Sequence, residues 1–310
     1  RVTAPGVMTD ELMELMSQSL SRLEIKEHFN VIKEIGRGKY GKVLLVTHRC
    51  RGTPMALKVM PKSSTKLQGF LREYCISLQL SCHPCIVGLF GIAFQSDEHY
   101  GFAQELVAGR DLFAVIQPKV EGAVKRCVQQ ISSALEFIHS RGLVHRDIKP
   151  ENILLLDTQC RRVKLADFGL TQKRGTMIRL ISGTLPYMSP ELCAVAVERG
   201  EEEPRAPPLK VEPSLDTWAF GVLIFCILTG YFPWERCTAS DDFYQDEKVH
   251  TAAALEMFRS LLALDAGQRC RVGEVTAFMD EDWVRGRGTN GTVTSSLSVT
   301  KSSTISEVVA

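Results

Sequence analysis

The sequence has no excess of charge of either sign. Its 310 residues carry 37 lysines and arginines against 36 aspartates and glutamates, for a formal net charge of +1. Such a chain has no overall field that would draw it to nucleic acid or to an anionic membrane. We therefore expect neither as a partner.

Long apolar runs are also missing. The longest lies around Ala219–Leu228, between Asp216 and Gly230, and is too short to cross a bilayer. The first residues do not read as a secretory signal. The run predicts a buried helix, and we expect no membrane span.

The ten cysteines lack the spacing of a disulfide framework. Cys82 and Cys85 form a CxxC pair, but no second CxxC or HxxxH follows to complete a zinc or redox site. The alternative is that both are small apolar residues of the core. We expect reduced thiols and a cytoplasmic location.

The apolar pattern changes from strand-like to helix-like along the chain. Residues 1–27 predict a helical leader, and residues 28–106 predict short strands with one helix around Leu67–Leu80. Residues 107–285 are mainly helical, with helices predicted at Ser214–Thr229 and Ala252–Leu264, so the fold class is α+β with a small β-rich N-lobe and a larger α-helical C-lobe. Composition predicts a disordered insertion near 198–213 and a disordered tail over 286–310.

A glycine-rich segment, Gly36-Arg37-Gly38-Lys39-Tyr40-Gly41-Lys42-Val43, lies between two apolar runs. Glycines in a hairpin let the backbone approach phosphate oxygens, which side chains would block. A strand rather than a helix follows, so this is not the dinucleotide-binding fingerprint. Glycine-rich hairpins also have purely structural roles, and the segment decides nothing alone.

Lys58 closes the strand-like run Met55–Lys58. A half-buried ammonium needs a partner, and Glu73 in the predicted helix is a candidate. The alternative is a lysine that extends its amine to solvent.

The segment His145–Asn152 reads His-Arg-Asp-Ile-Lys-Pro-Glu-Asn, and Asp167-Phe168-Gly169 follows. Phosphoryl transfer needs a carboxylate to orient the attacking hydroxyl, hard oxygen ligands for Mg²⁺, and positive charge at the phosphates. The sequence contains side chains of each type: Asp147 as the carboxylate, Asn152 and Asp167 as the oxygen ligands, and Lys58 and Lys149 as the positive charges.

These motifs make residues 28–285 resemble the eukaryotic protein kinase superfamily. The resemblance implies a two-lobed kinase fold, ATP and Mg²⁺ as cofactors, and transfer of the γ-phosphate of ATP to protein substrates. Lys149, two residues after Asp147, is typical of the serine/threonine class.

The resemblance also implies the roles of site residues. Asp147 is the catalytic base beside Lys149, Asn152 and Asp167 hold Mg²⁺, and Lys58 paired with Glu73 contacts the phosphates. The other residues implied to surround the nucleotide are Ile35, Gly36, Arg37, Gly38, Lys39, Tyr40, Gly41, Val43, Ala56, Glu105, Val107, Asp111 and Leu154. In the C-lobe, Asp216 is implied to brace the catalytic loop, and Arg269 to pair with Glu191.

A closer resemblance is to the SH3-domain-binding kinase family of serine/threonine kinases. It is carried by four stretches: 70–73, 125–130, 160–169 and 218–226. The family name makes an SH3 domain a candidate partner, and Pro204-Arg205-Ala206-Pro207 fits PxxP, although it lacks well-placed flanking basic residues. We expect a monomer.

The activation segment, Asp167 to Glu191, has Leu180 where kinases commonly carry an activating phosphate. The nearby hydroxyls are Thr171, Thr176 and Ser182, and the nearby basic residues are Arg146, Lys173, Arg174 and Arg179. The basic residues form either a docking site for a phosphate or acidic segment, or a solvated loop. Because leucine cannot be phosphorylated, the hypothesis is a kinase that is active without phosphorylation of this segment.

Other positions bear on specificity. Gln104 falls at the position that gates the adenine pocket in kinases. Kinases usually have an apolar residue four positions after the helix glutamate, and here either Ser77 or Leu78 fills that position. Asp111 and Glu151 resemble residues that read an arginine upstream of the target, and Leu170 is associated with serine over threonine. The alternative is that Asp111 binds the ATP ribose and Glu151 is solvated.

Two rival functions remain at this point. A pseudokinase scaffold would lack one of Lys58, Asp147, Asn152 and Asp167, and all four are present. The argument in its favour is that segment 235–254 is shorter than in the kinases that this chain resembles. A small-molecule kinase is disfavoured by Lys149 and by the peptide-platform segment Gly183–Glu191.

Overall fold

The computed structural model describes residues 5–38, 41–109, 111–112, 121–179, 183–197, 208–230, 232–234 and 250–285. The helices are α1 Pro5–Ser19, α2 Ile25–His28, α3 Leu67–Leu80, α4 Glu121–Ser140, α5 Pro190–Val197, α6 Ser214–Thr229 and α7 Ala252–Leu261. The strands are β1 Ser21–Arg22, β2 Phe29–Gly38, β3 Gly41–His48, β4 Pro54–Pro61, β5 Leu89–Gln95, β6 His99–Gln104, β7 Leu143–Val144, β8 Ile153–Leu155, β9 Val163–Leu165, β10 Gln172–Lys173, β11 Met177–Ile178 and β12 Leu209–Lys210.

The N-lobe is a six-stranded sheet in the order β1-β5-β6-β4-β3-β2. Alternation along β4 determines what each face carries, because successive side chains of a strand point to opposite sides. Met55, Leu57 and Val59 pack into an apolar cluster on one face. Ala56 and Lys58 are therefore on the other face, toward the cleft.

The predicted leader is part of the N-lobe. Ser21–Arg22 pairs in parallel with the end of β5, which extends the sheet by one strand. Helix α1 lies against α3, and its partly buried Leu12, Met13 and Met16 pack on the apolar cluster around Phe70. The structural boundary of the lobe thus precedes residue 28.

The C-lobe is built around α6, which is buried along nearly its whole length. Helix α4 packs against it, with Val124, Ile131 and Leu135 in the same core. Side chains that are apolar all round explain a fully buried helix. The two-lobed α+β fold predicted from the sequence is confirmed.

The linker between α3 and β5 is hydrogen-bonded to the C-lobe. The amide of Val87 donates to the carbonyl of Leu165 at 3.1 Å, and the amide of Leu165 donates to the carbonyl of Cys85 at 2.8 Å. Residues 85–87 thus form a backbone connection between the lobes behind the cleft.

Three predictions need correction or fall outside the described residues. The disordered insertion was predicted to reach Pro213, but residues 208–213 contain β12 and the fully buried Val211. The reason is that Val211 joins an apolar cluster with Val144 and Leu215. The last helix, predicted from Ala252 to Leu264, ends at Leu261. Residues 198–207 and the tail 286–310 lie outside the described residues.

No helix in the described part of the chain combines the length and apolar character needed to cross a membrane.

Candidate active site

Lys58 lies between two carboxylates at the cleft face of the N-lobe. Its Nζ contacts Oε1 of Glu73 from α3 and lies 2.9 Å from Oδ1 of Asp167, which follows β9. Lys58 and Glu73 are nearly buried, whereas the side chain of Asp167 is 40% exposed. The predicted Lys58–Glu73 pair is confirmed, and Asp167 joins it.

The Lys58 ammonium attracts the carboxylates on either side of it. Burial alone would lower the pKa of Lys58, but the charges of Glu73 and Asp167 outweigh it and raise that pKa above its ordinary value. Burial acts to raise the pKa of Asp167, but the Lys58 ammonium lowers it to about 2. For Glu73, burial raises the pKa, the Lys58 ammonium opposes the rise and the nearby Asp167 carboxylate adds to it, so the pKa lies above its ordinary value. The lysine and Asp167 are therefore charged at neutral pH.

The catalytic loop brings Asp147, Lys149 and Asn152 together. Oδ2 of Asp147 accepts a hydrogen bond from Nδ2 of Asn152 at 2.9 Å and lies 3.0 Å from Nζ of Lys149. Nδ2 of Asn152 also donates to the backbone carbonyl of Asp147 at 2.7 Å. Nζ of Lys149 lies 3.4 Å from Oγ1 of Thr184, which ties the loop to the segment that resembles a substrate platform.

The carboxylate of Asp216 binds the backbone at the start of this loop. Its carboxylate accepts hydrogen bonds from the amides of His145 and Arg146, both at 2.8 Å, and from Nε2 of His139 at 2.8 Å. It is fully buried near the N-terminus of α6. Arg146 has a positive φ of 70°, a conformation that costs free energy and that the two amide bonds hold in place. The predicted brace is confirmed.

His145 is buried and acts as a neutral spacer. Its Nδ1 accepts a hydrogen bond from the amide of Asp147 at 3.2 Å, and its Nε2 lies 3.3 Å from the carbonyl of Ala166. Its ring centroid lies 5.2 Å from that of Phe168, in an edge-on arrangement. Burial lowers its pKa. The neutral ring therefore links the loop with Asp147 to the backbone that leads into Asp167.

The donor set fits a magnesium nucleotide. Asn152 uses its amide nitrogen toward Asp147, and Asp167 uses Oδ1 toward Lys58 and the amide of Gly169. These contacts leave Oδ1 of Asn152 and Oδ2 of Asp167 as hard oxygen ligands on neighbouring elements. Two such ligands suit Mg²⁺, which commonly takes its remaining ligands from phosphates and water. Among the described residues no group of three or more His, Cys, Asp or Glu side chains could hold a metal alone.

The glycine-rich hairpin joins β2 and β3 above this cluster. Gly36 pairs with Val43, and Val43 pairs with Lys58 on β4, so the hairpin and the lysine share a register. A Cβ on Gly41 would lie 2.4 Å from the carbonyl of Val59, so packing on β4 requires glycine there. A Cβ on Gly36 or Gly38 would meet no atom closer than 3.7 Å.

The remaining residues of the predicted hairpin differ in position. Ile35 is exposed on β2, and the guanidinium of Arg37 bonds the Glu34 carboxylate at 2.7 and 2.8 Å on the surface. Lys39 and Tyr40 lie outside the described residues.

Ala56 and Leu154 belong to opposite lobes. Ala56 on β4 pairs with Gln104, the residue at the predicted gate. Leu154 on β8 forms a bridge with Asp111, just after the connection between the lobes. Val107 lies half-buried in that connection.

The Glu105 side chain is turned away from an adenine-binding role. Its carboxylate accepts from the amide of Gly88 at 2.7 Å and contacts Nζ of Lys164, and its own amide donates to the carbonyl of Gly88 at 2.9 Å. The backbone carbonyl of Glu105 takes no part in these contacts. Sequence reasoning missed Lys164 and Gly88, because no local pattern signals such long-range partners.

The residues that follow Glu73 on α3 face different parts of the core. Ser77, one turn after Glu73, is buried, whereas Leu78 packs with the cluster that faces α1. Ile76 and the core that contains Phe168 belong to one apolar cluster. The sequence offered Ser77 and Leu78, and it missed Ile76.

Two parts of the activation segment make defined contacts with the C-lobe. Thr171 is buried, with its hydroxyl 3.4 Å from the carbonyl of His145, so it is not accessible to a modifying enzyme. Arg269 binds Glu191 through two bonds of 2.7 and 2.8 Å, which confirms the predicted pair. Leu180 and Ser182 lie outside the described residues.

Comparison with known proteins identifies the family. The protein kinase domain family matches residues 29–283. Serine/threonine-protein kinase SBK1 of Danio rerio is 48% identical over 93% of this chain and 78% of the relative. Serine/threonine-protein kinase SBK2 of Homo sapiens is 51% identical over 79% of this chain and 69% of the relative. Serine/threonine-protein kinase meng-po of Drosophila melanogaster is 33% identical over 86% of this chain and 61% of the relative.

The site geometry and these matches agree with the family predicted from the sequence. The chain belongs to the protein kinase family and is a serine/threonine protein kinase of the SH3-domain-binding kinase group.

Proposed function

We propose that the chain is a catalytically active kinase that uses Mg²⁺ and ATP, with Asp147 as the base. The observation that supports this most directly is the pairing of two clusters, Lys58–Glu73–Asp167 and Asp147–Lys149–Asn152. A scaffold that only binds partners would not need both clusters with every charge satisfied.

In the proposed reaction Asp147 orients the substrate hydroxyl and takes its proton as the oxygen attacks the γ-phosphorus. The bond from the γ-phosphorus to the β-phosphate oxygen breaks, and ADP leaves. Lys58 holds the nucleotide phosphates, and Lys149 supplies positive charge beside the attacking oxygen. Asn152 and Asp167 would hold Mg²⁺, which neutralises charge on the phosphates when bound.

The test is kinase activity on a degenerate Ser/Thr peptide library with Mg²⁺ and ATP. We expect Asp147→Asn to lower kcat about 10²- to 10⁴-fold, because it removes the proton acceptor. Asp157→Asn is the matched control, since Asp157 is an aspartate of the same lobe whose contacts are with the turn from Gln159 to Arg162, including an ion pair with Arg161. Equal activity of wild type and Asp147→Asn would refute the proposal and favour a scaffold.

For substrates, we propose a preference for serine and for an arginine upstream of it. Glu151 is exposed in the catalytic loop, Asp111 lies beside β8, and the negative charge of both complements a basic peptide. A peptide array should show reduced arginine selection for Glu151→Gln relative to wild type. An array without arginine preference in the wild type would refute this.

Location and partners remain proposals as well. A cytoplasmic location is supported by nine free cysteines among the described residues, which suits a reducing compartment. An SH3 domain is proposed to bind at Pro204–Pro207, outside the described residues, and the chain is proposed to be monomeric. A pull-down with a panel of SH3 domains tests the proposed partner, and light scattering tests the monomeric state.

A further inference from the structure

Two adjacent basic residues of the activation segment are bound by carboxylates from distant parts of the chain. Nζ of Lys173 lies 3.0 and 3.2 Å from the carboxylate oxygens of Asp10 in α1. Nε of Arg174 lies 2.6 Å from Oε2 of Glu212, which precedes α6. One contact thus ties the activation segment to the N-lobe, and the other ties it to the C-lobe.

Glu212 belongs to a short backbone clasp. Strand β12 pairs antiparallel with β11 of the activation segment. The amide of Gly175 donates to the carbonyl of Val211, and the amide of Val211 donates to the carbonyl of Thr176, both at 2.8 Å. Val211 is fully buried beneath this ladder, so the clasp is anchored to the core.

The carboxylate of Glu212 is itself held between two cations. Besides Arg174, it contacts Nζ of Lys210 at 2.7 Å. The hydrogen bond from Lys210 is the largest cause that lowers the pKa of Glu212, and Arg174 adds to it. Glu212 is therefore ionised at neutral pH and fixed in position.

Asp10 connects the segment to the catalytic cluster of the N-lobe. It lies on α1, whose apolar face packs on α3. Helix α3 supplies Glu73, the partner of Lys58. A contact between Asp10 and Lys173 therefore couples the position of α3 to that of the activation segment.

In many proteins a phosphate on a mobile segment orders that segment by pairing with basic residues. Here Lys173 and Arg174, basic residues of the kind that receive such a phosphate, already bind carboxylates. We propose that Asp10 and Glu212 are positioning residues that hold the activation segment in place of a phosphate, so that the kinase is active without phosphorylation of this segment.

This inference rests on the proposed function. At residues 173 and 174 it favours the docking site over the solvated loop, the two alternatives from the sequence. The basic residues at 173 and 174 form a docking site for acidic groups, and those groups come from the same chain.

The test begins with full-length protein treated with phosphatase, with mass spectrometry to establish that residues 167–191 carry no phosphate. Kinetics on one serine peptide are compared for wild type, Glu212→Gln, Asp10→Asn and the double variant. We expect each single change to lower kcat/KM for peptide about three- to tenfold, and the double about tenfold or more, while KM for ATP stays unchanged.

The matched control is Asp97→Asn. Asp97 also forms an exposed ion pair with the N-terminal segment, to Arg22 on β1, but that pair does not touch the activation segment. We expect wild-type kinetics from it. The charge exchange Asp10→Lys with Lys173→Asp should recover most of the activity lost in Asp10→Asn, which a general loss of stability would not do.

The outcomes are distinguishable. Full activity in Glu212→Gln and Asp10→Asn, or an exchange variant that stays as impaired as Asp10→Asn, would overturn the inference. Dephosphorylated wild type that is inactive, but active once the segment is phosphorylated, overturns the inference and leaves the proposed function standing. Wild type that equals Asp147→Asn in both states overturns both.

Discussion

Replacing Asp216 by asparagine tests the support of the catalytic loop. The buried carboxylate accepts three hydrogen bonds, from the amides of His145 and Arg146 and from His139. An asparagine keeps one accepting oxygen and turns an NH₂ group toward the remaining donors. Each buried donor left without an acceptor costs about 1–3 kcal/mol, and bonds to a charged group are at the upper end.

We expect a loss of about 3–5 kcal/mol, typical of breaking a buried charged network. For a domain of this size about 1 kcal/mol shifts the melting temperature by roughly 2–4 °C, so we expect a fall of about 6–20 °C. Because Arg146 and its neighbour Asp147 lose their anchor, kcat should fall as well. Differential scanning calorimetry and peptide kinetics measure the two effects.

Asp157→Asn is the comparison. Asp157 also accepts from three backbone amides, of Gln159, Arg161 and Arg162, but at a turn near the surface. Water replaces such bonds, so a loss of about 1 kcal/mol is expected. A melting temperature of Asp216→Asn within about 2 °C of wild type, with kcat unchanged, would contradict the calculation.

The same residue predicts a pH effect. Burial acts to raise the pKa of Asp216, but the hydrogen bond and charge of His139 outweigh it and lower that pKa below its ordinary value of 3.8. A carboxyl with a lowered folded-state pKa contributes stability above its unfolded-state pKa and loses it as pH falls through the folded value. Acid titration of the melting temperature should therefore be steeper below pH 3.8 in wild type than in Asp216→Asn.

Three further changes have defined outcomes. Lys58→Met leaves Glu73 and Asp167 without their shared ammonium and should lower kcat about 10²-fold or more; near-normal kinetics would contradict the role assigned to the cluster. Burial raises the pKa of Cys75 to about 11, so iodoacetamide at neutral pH should label the exposed Cys82 and spare Cys75 in folded protein, as peptide mass spectrometry would show. Removing helix α1 uncovers the apolar side of α3 and should lower both the melting temperature and kcat; an unchanged melting temperature would show that its packing adds no stability.

Sequence reasoning was accurate where a pattern is local. The bounds of α3, Leu67–Leu80, and α6, Ser214–Thr229, were predicted to the residue. In both, a run of apolar residues ends at a clear signal, such as Gly230 in the left-handed conformation after α6. The pairs that the family resemblance implied, Lys58–Glu73 and Arg269–Glu191, are also confirmed.

Reasoning failed where the partner is distant and the local sequence is polar. Ser21–Arg22 has no apolar alternation and becomes a strand only because Phe94–Gln95 offers it a free edge. β12 lies in an acidic, proline-rich stretch whose composition predicts disorder, and the burial of the neighbouring Val211 cannot be read from that composition. The partners of exposed charges, such as Asp10 and Glu212, depend on tertiary proximity and leave no trace in the local sequence.

The backbone bonds between residues 85–87 and Leu165 determine how the cleft can open. Because that linker is tied to β9, we expect it to stay with the C-lobe when the sheet that carries Lys58 turns. In such a turn the end of α3 nearest the linker would be the pivot, and the opposite end would move further. Glu73, in the middle of the helix, would leave or approach Lys58 by rotation of α3 rather than by sliding along it.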